Sequence, residues 1–573
     1  MICRFSEMLR KKGHLVVAFF LLFALPLLRL NSYPFFDLRI YLIFLSLALF
    51  FTIRAVRLFS VKAPGALSLS NLDILFAAYY LVYVLSCLFS SHPALSFTAL
   101  LNEIPFVMAY AFFRSFSDGS AENPGYSHLS GIVMLAAVAL SLWGLSQFFF
   151  EIDVSPGLRS LFKTHHFPVI ASLGNPNFLG EFLVLSLPFV LSVVIRRRLA
   201  LFLIIIPIGI AVFLTYSRLA WTVLVLFMIV SVKITLPSMR KRLVAVCLLL
   251  LFGACTLFVY HKATDLPPSR RIIQGLKQMK NPLAEREIMY RAGLALLCDS
   301  SPFGFGPGAF GYRYLHYQKR AVSEGAGSRI PLIDLDHAHS DFIEIGVDSG
   351  SVALLLYVLL IGYALSAGFR NVGEEGSQRF INMVPLLYLP FGLLAFPQYL
   401  PFSKLLFYLS LARISGLLRH RQLRIDHPRL DALLALMVIV AFAWFHSRYA
   451  LSLFHHQRGL ASFSVEEGGF DEFCRGIRCY PYNGYNYFSA GALLLNEQQG
   501  TGIAYLKSSL RYLHTTRTYL YLARGYRDQY RYRAAIRWYE ELLALRPDLL
   551  SVRKEYEELL DMLREESPDK VPE

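Results

Sequence analysis

The run DHAHSDFIEIGVDSGSVALLLYVLLIGYAL, residues 336–365, changes character half-way. From Ser351 onward it carries no charge, whereas the part before it holds two histidines and four carboxylates. The uncharged part continues to Phe369, and a helix of about 20 apolar residues crosses a hydrocarbon core of about 30 Å. Similar blocks recur at 15–30, 38–59, 72–89, 95–113, 131–150, 178–195, 199–214, 219–232, 243–260, 342–369, 381–396, 405–418 and 430–445. The pattern predicts an all-α, polytopic helical membrane protein of about 12–13 transmembrane helices.

Composition agrees. Of 573 residues, 55% are hydrophobic and 17% charged. The first block is followed by RLNSYPFFDLR and not by a small-residue cleavage site, so it reads as a span, not a cleaved signal. The net charge of +16 does not point to nucleic acid, because the basic residues collect in alternate connections. With RFSEMLRKKGH in the cytoplasm, RAVRLFSVK, RSFSDGSAENPG, RRR, KITLPSMRKR, RNVGEEGSQR and RHRQLRIDHPR fall on that side. The outer set is SSHPALS, residues 151–177, TYSR, the large loop 261–340 and FPQYLPFSK. The chain is then a multi-pass protein of a cytoplasmic membrane, with its C-terminal region outside. Seven cysteines show neither CxxC pairs nor Cys/His ligand spacing, so no metal or cofactor is signalled. Cys474 and Cys479 are too divergent on one helix to make pairing the expected state.

After residue 445 the apolar blocks give way to a Tyr- and Arg-rich, helix-favouring region, 446–573. Tyr519, Leu522, Ala523, Tyr526, Ala535, Tyr539, Leu542 and Pro547 follow the spacing of a tetratricopeptide helix pair. About three such pairs, closed by SVRKEYEELLDMLREE as a cap, predict a soluble helical-repeat domain that engages a protein partner or positions a substrate.

The chemistry gathers on the outer side. With a helix starting near Ser340, Asp341, Glu344 and Asp348 share one face, which predicts an acidic mouth beside His337 and His339. Histidine is suited to taking a proton from a hydroxyl. Arg218 in TYSRLAW and Arg286 in AEREIMYRAGLALL, with Arg291 beyond it, offer guanidinium forks for phosphate oxygens. SLGNPNFLGEF adds a tight turn with Asn175 and Asn177, then Glu181 one turn into a span. SPFGFGPGAFGYRY brings four glycines between the arginine segment and the histidines, in a spacing that fits neither a dinucleotide fingerprint nor a P-loop.

From about residue 142 to 418 the sequence resembles the O-antigen ligase and polymerase-related family of bacterial membrane glycosyltransferases. GNPNFLGEFLVLSLP, TYSRLAW, REIMYRAGLALL with SPFGFGPGAF, and HAHSDFIEIGVDSG carry the resemblance, in the family's order. Ser340 stands where Asn is common in that family, and Tyr290 where Trp is common. The resemblance implies that residues 1–445 form a transmembrane glycosyltransferase-like domain of the inner membrane. It would move a glycan from a polyprenyl diphosphate carrier to a hydroxyl of a glycan, lipid or protein acceptor, without a cofactor. It implies His339 as the catalytic residue and Arg218 and Arg286 as diphosphate ligands; Arg291, His337, Asp341, Glu344, Asn175, Asn177 and Glu181 are the supporting candidates that the residues themselves offer. The rivals are a repeat-unit polymerase, a protein O-oligosaccharyltransferase and, from another class, a small-solute transporter.

Overall fold

The computed structural model describes residues 13–29, 35–59, 65–117, 120, 122–150, 152, 169–197, 204–235, 282–323, 334–372, 376–425, 427–463, 468–495 and 497–566. The predicted span at 243–260 and residues Cys3, Cys247 and Cys255 lie outside them. The architecture is all-α. Its apolar part comprises α1 (Gly13–Leu27), α2 (Phe35–Phe59), α3 (Asn71–Leu88), α4 (Pro93–Arg114), α5 (Pro124–Phe150), α6 (Pro176–Arg197), α7 (Ile205–Leu214) and α8 (Arg218–Thr235). The more polar α9 (Pro282–Asp299) and α10 (Ala309–Ser323) follow, then α11 (Asp341–Val372), α12 (Val384–Leu394), α13 (Pro401–Leu417) and α14 (Pro428–Ala461).

Among the described residues seven helices, α2 to α6, α11 and α14, are long and apolar enough to cross a membrane. Of the other predicted blocks, 243–260 lies outside the described residues, and the rest do not reach that length and apolarity. Helices α7 and α12 have 10 and 11 residues, about half the length a crossing needs. Helix α13 is buried from Pro401 to Gly416 on every side, packed against α4, α6 and α12, so its apolarity fills a protein core instead of facing lipid. At the other extreme, only 11% of the α14 window is buried inside the protein, against 89% for α6.

The connections that the charge pattern assigned to one side do meet. Strand β1 (Gly65–Leu69) pairs antiparallel with β2 (Arg421–Ile425), Gly65 opposite Ile425. Arg114 reaches His420 at 3.2 Å and Asp73 at 3.4 Å, and Gln378 N–H donates to Glu122 at 3.1 Å. The opposite end of α3 and α4 gathers the other set. There Ser91 N–H donates to Phe305 O (3.1 Å), and Phe178 meets Phe396 edge-on at 5.8 Å.

Helix α11 is broken at Gly350, whose φ of 85° and ψ of 176° is a conformation open to glycine alone. A straight helix would hold Asp341 and Tyr357 about 24 Å apart, yet Tyr357 OH donates to Asp341 Oδ2 at 3.1 Å. Residues 341–349 thus fold back against the span that starts at Ser351. The predicted span 342–369 keeps enough length after the break to cross.

Helix α14 does not stop at residue 445 but runs to Ala461. Its added turns hold the C-terminal helices α15 (Gly469–Cys479), α16 (Gly484–Leu494), α17 (Gln499–Ser509), α18 (Thr516–Asp528), α19 (Tyr532–Leu545) and α20 (Leu550–Glu566). His455 bonds Glu472 at 2.7 Å, and Asn486 donates to Ser452 Oγ at 2.9 Å. Each helix packs on its sequence neighbour around a core of Leu506, Leu522, Ala523, Tyr539 and Leu542. Cys474 and Cys479 lie on one helix, α15, and are both free thiols.

Candidate active site

The segment 334–340 approaches α11 over the end of the molecule opposite the paired strands. His339 has φ of 48°, a left-handed backbone that costs a non-glycine residue about 1 kcal/mol or more. Its surroundings impose it. Tyr290 OH donates to His339 O at 3.4 Å, Ala338 N–H donates to Glu344 Oε2 at 2.8 Å, and the backbone of Leu335 and Asp336 lies so close to Gly311 that a Cβ there would sit 3.1 Å from Asp336 Cα.

The two histidines differ. His337 donates from Nδ1 to Glu344 Oε1 at 2.8 Å, and its ring lies on Phe396 at 4.9 Å and near Tyr399 at 4.7 Å. Burial works to lower its pKa, but the charge and hydrogen bond of Glu344 prevail and hold it above 6.5. His339 touches the same Phe396 edge-on at 4.8 Å. Burial, then the charges of His337 and Arg286, push its pKa down to about 4. At neutral pH His339 is therefore a neutral imidazole beside an arginine.

The three carboxylates behind them do not form an acidic mouth. Asp341, Glu344 and Asp348 are all buried, at 0%, 2% and 3% exposure. They share one face, as the spacing predicted, but that face turns into the protein. Asp341 accepts from Tyr357 OH, from Tyr388 OH at 3.4 Å and from Gln398 N–H at 3.2 Å. Gln398 in turn donates to Tyr408 OH (2.9 Å), whose partner Tyr80 (2.6 Å) donates to Glu103 (2.9 Å). Glu103 ends the chain on Lys404 at 2.5 Å. Asp348 accepts from Gly308 N–H (2.8 Å) and Phe310 N–H (2.9 Å).

The glycine-rich loop is the counterpart of the break in α11. Phe305 N–H donates to Val347 O (3.0 Å), Gly306 N–H to Asp348 O (2.9 Å) and Val352 N–H to Pro302 O (3.3 Å). These bonds take up backbone groups that a helix loses where it breaks. A Cβ on Gly304 would stand 2.2 Å from Asp348 O, and one on Gly350 2.1 Å from Pro302 O.

Of the other candidates, Arg286 acts on His339 and stands one helical turn before Tyr290 on α9, exposed. Arg218, also exposed, opens α8 just after Tyr216, whose φ is 55°. Its turn lies against Gly180, where a Cβ would stand 2.9 Å from Ala220 Cβ. Gly180 neighbours Phe178, which contacts Phe396, so Arg218 belongs to the same end as the histidines. Arg291 pairs instead with Glu287 at 2.7 Å on the exposed face of α9. Asn175 spends its side-chain oxygen on Asn177 N–H at 2.8 Å, turning the chain into α6, while Asn177 itself is exposed. Glu181 is 2% exposed. Sequence reasoning missed Phe396, which touches both histidines, and Tyr399, which lies beside His337; FPQYLPF reads in the sequence only as an outer connection. Among the described residues no three His, Cys, Asp or Glu side chains converge to hold a metal ion.

No curated protein matches the chain. Residues 199–358, which carry Arg218, Arg286, His337, His339 and the break in α11 but neither Asn175, Glu181 nor the C-terminal helices, match the family model described as O-antigen ligase; in that segment the chain is similar to O-antigen ligases.

Proposed function

We propose that the protein transfers a glycan from a polyprenyl diphosphate carrier to an acceptor hydroxyl at the outer face of the cytoplasmic membrane, in the synthesis of cell-surface polysaccharide. The observation that carries this reading is the place of His339, its ring against Phe396 and within reach of the charge of Arg286, in the O-antigen ligase-like segment and at the end of the crossing helices. His339 takes the proton of the acceptor hydroxyl as that oxygen forms its bond to the anomeric carbon. The bond from that carbon to the diphosphate oxygen breaks, and Arg286 and Arg218 stabilise the charge left on the polyprenyl diphosphate. His337, fixed to Glu344 and stacked on Phe396, positions the loop and does not exchange protons itself. The C-terminal helices fit a tetratricopeptide-like unit on the same outer side, able to bind a protein partner.

Arrival of the diphosphate prepares the base. A pKa of about 4 makes His339 a weak base in the empty site. An anion beside Arg286 offsets the guanidinium charge and favours the imidazolium, which raises that pKa toward the working pH.

A transporter would need carboxylates at membrane depth, such as Glu103, Glu181 and Asp348, to line a solute path, yet Glu103 is paired with Lys404 and Asp348 is bonded to backbone. The test is the surface glycan of cells lacking the protein and of cells carrying His339→Ala. Long chains left on polyprenyl diphosphate in both mean a ligase, transferring to lipid or protein; single unpolymerised repeats mean a polymerase. Unchanged glycan in both would refute glycan transfer and return the transporter.

A further inference from the structure

The C-terminal helices do not hang free of the site. Helix α10, which belongs to the outer loop, contributes Leu315 to their core, so the two parts share one apolar interior. Tyr312 on α10 donates to Leu510 O at 3.2 Å, and its ring lies between His514 at 4.1 Å and His92 at 4.2 Å. Tyr480 meets Thr98 at 2.7 Å, which fastens the same helices to the end of α4.

One contact reaches the histidine segment itself. Asp334, three residues before His337, accepts from Thr516 N–H and Thr516 Oγ1, both at 2.9 Å, through one carboxylate oxygen. Its other oxygen lies 3.7 Å from Arg546, which Asp548 holds in place at 2.8 Å. Thr516 is the first residue of α18, so the carboxylate stands at the positive end of that helix. The segment 334–340 is therefore fixed at both ends. Asp334 is held by Thr516 of α18 and by Arg546 just past α19, and Ala338 and His337 by Glu344, with Gly311 pressed against the backbone between them. A left-handed residue such as His339 keeps its conformation only while such restraints hold.

We infer that the C-terminal helical unit is a positioning part of the site: through Thr516 and Arg546 it grips Asp334, and so sets the placement of His337 and His339. The inference rests on the catalytic reading of His339 given above. Asp334, Thr516 and Arg546 are positioning residues, since none is in contact with either imidazole. The unit acts on the reaction whether or not it also binds a partner.

The test uses the full-length protein, in cells and purified in detergent. Asp334→Ala removes the grip at the loop and leaves the core of the helical unit intact; Thr516→Val removes one contact of the set. Arg524→Ala, which cuts the Arg524–Glu555 pair at 2.5 Å elsewhere in the unit, is the control. Two quantities are read: glycan transferred in cells, and the rate at which diethyl pyrocarbonate modifies His337 and His339, followed by peptide mass spectrometry. For Asp334→Ala, at unchanged protein amount, transfer falls about ten-fold and modification speeds up several-fold. Thr516→Val moves both in the same direction by less, Asp334→Glu restores both in part, and Arg524→Ala moves neither. Wild-type behaviour of Asp334→Ala in either quantity overturns the inference. If His339→Ala still transfers glycan, the catalytic reading fails, while the modification rates report on the grip independently.

Discussion

Residues 334–340 and residues 341–349 are neighbours in the chain, both rich in titratable side chains, and the fold treats them in opposite ways. In the second stretch Asp341, Glu344 and Asp348 are each bonded by donors on other elements, and all three are buried. In the first, His339 keeps its ring beside Phe396 and Arg286, and among the described residues no donor or acceptor claims it as Glu344 claims His337. The difference teaches that density of charge at the mouth of a membrane helix is a poor guide to chemistry. What matters is which groups the backbone has already engaged, because a carboxylate that closes a helix break has little left to offer a substrate.

The comparison would break first at Gly350. An alanine there meets a φ of 85° and a Cβ position 2.1 Å from Pro302 O. The expected result is loss of folded protein, a destabilisation of about 4 kcal/mol or more, read as the yield of monodisperse protein after membrane extraction. Normal yield would mean that the glycine-rich loop does not clasp the break. Asp348→Ala is the milder form of the same test. It leaves the buried Phe310 N–H without its acceptor, at a cost of about 1–3 kcal/mol, and releases Gly308 as well. Melting temperature should fall clearly, and transfer should fall only in proportion to the folded protein remaining. A variant that melted normally but transferred nothing would move Asp348 into the chemistry.

Much of this was legible in the sequence, and the exceptions have physical causes. Alternate basic connections pointed to two ends, and the pairing of Gly65–Leu69 with Arg421–Ile425 joins two connections assigned to the same one. The helix start was legible too: Glu344 N–H donates to Ser340 O at 3.0 Å, as the polar-to-apolar change suggested. The break at Gly350 was not. A glycine ahead of an apolar run fits a continuous helix, and what forbids a side chain there is Pro302 and Gly304, far back in the chain. Phe396 and Tyr399 escaped for the same reason, since only the folded chain lays them on His337. At α13 hydropathy records burial without saying whether protein or lipid does the burying.

Acidity sharpens the contrast between the two histidines with a smaller effect. A folded pKa lowered to about 4 means that the unfolded chain binds the His339 proton first, so this residue's share of stability is lost as pH falls from about 6.5 toward 4. His337 has the opposite sign: its pKa is raised, so its share is complete below about 6.5 and is lost as pH rises through the raised value. Melting temperature against pH should therefore lose part of its acid-side fall in His339→Ala and part of its alkaline-side fall in Glu344→Gln. The kinetics carry the same signature. The acid limb of kcat/KM reports the empty site and should lie near pH 4, while the limb of kcat reports the occupied site and should lie higher. Coincident limbs would refute the idea that the diphosphate raises the base.

The smallest effect separates two arginines on one helix. Arg291 and Glu287 form an exposed pair at i,i+4, worth about 0.3–0.5 kcal/mol in the favourable order of acid before base. Arg291→Ala should change stability by no more than that and transfer by less than about two-fold. Arg286 lies less than two turns earlier on the same α9, yet its charge falls on His339. Arg286→Ala should leave melting temperature unchanged while lowering transfer by about a hundred-fold, the scale of losing one charged group that stabilises a transition state. The same substitution relieves His339 of a neighbouring cation, so the acid limb of kcat/KM should move up even as the rate falls. A structural arginine would produce neither change, and a substrate-binding arginine distant from the base would lower the rate without moving the limb. Only an arginine that faces both the diphosphate and the imidazole does both.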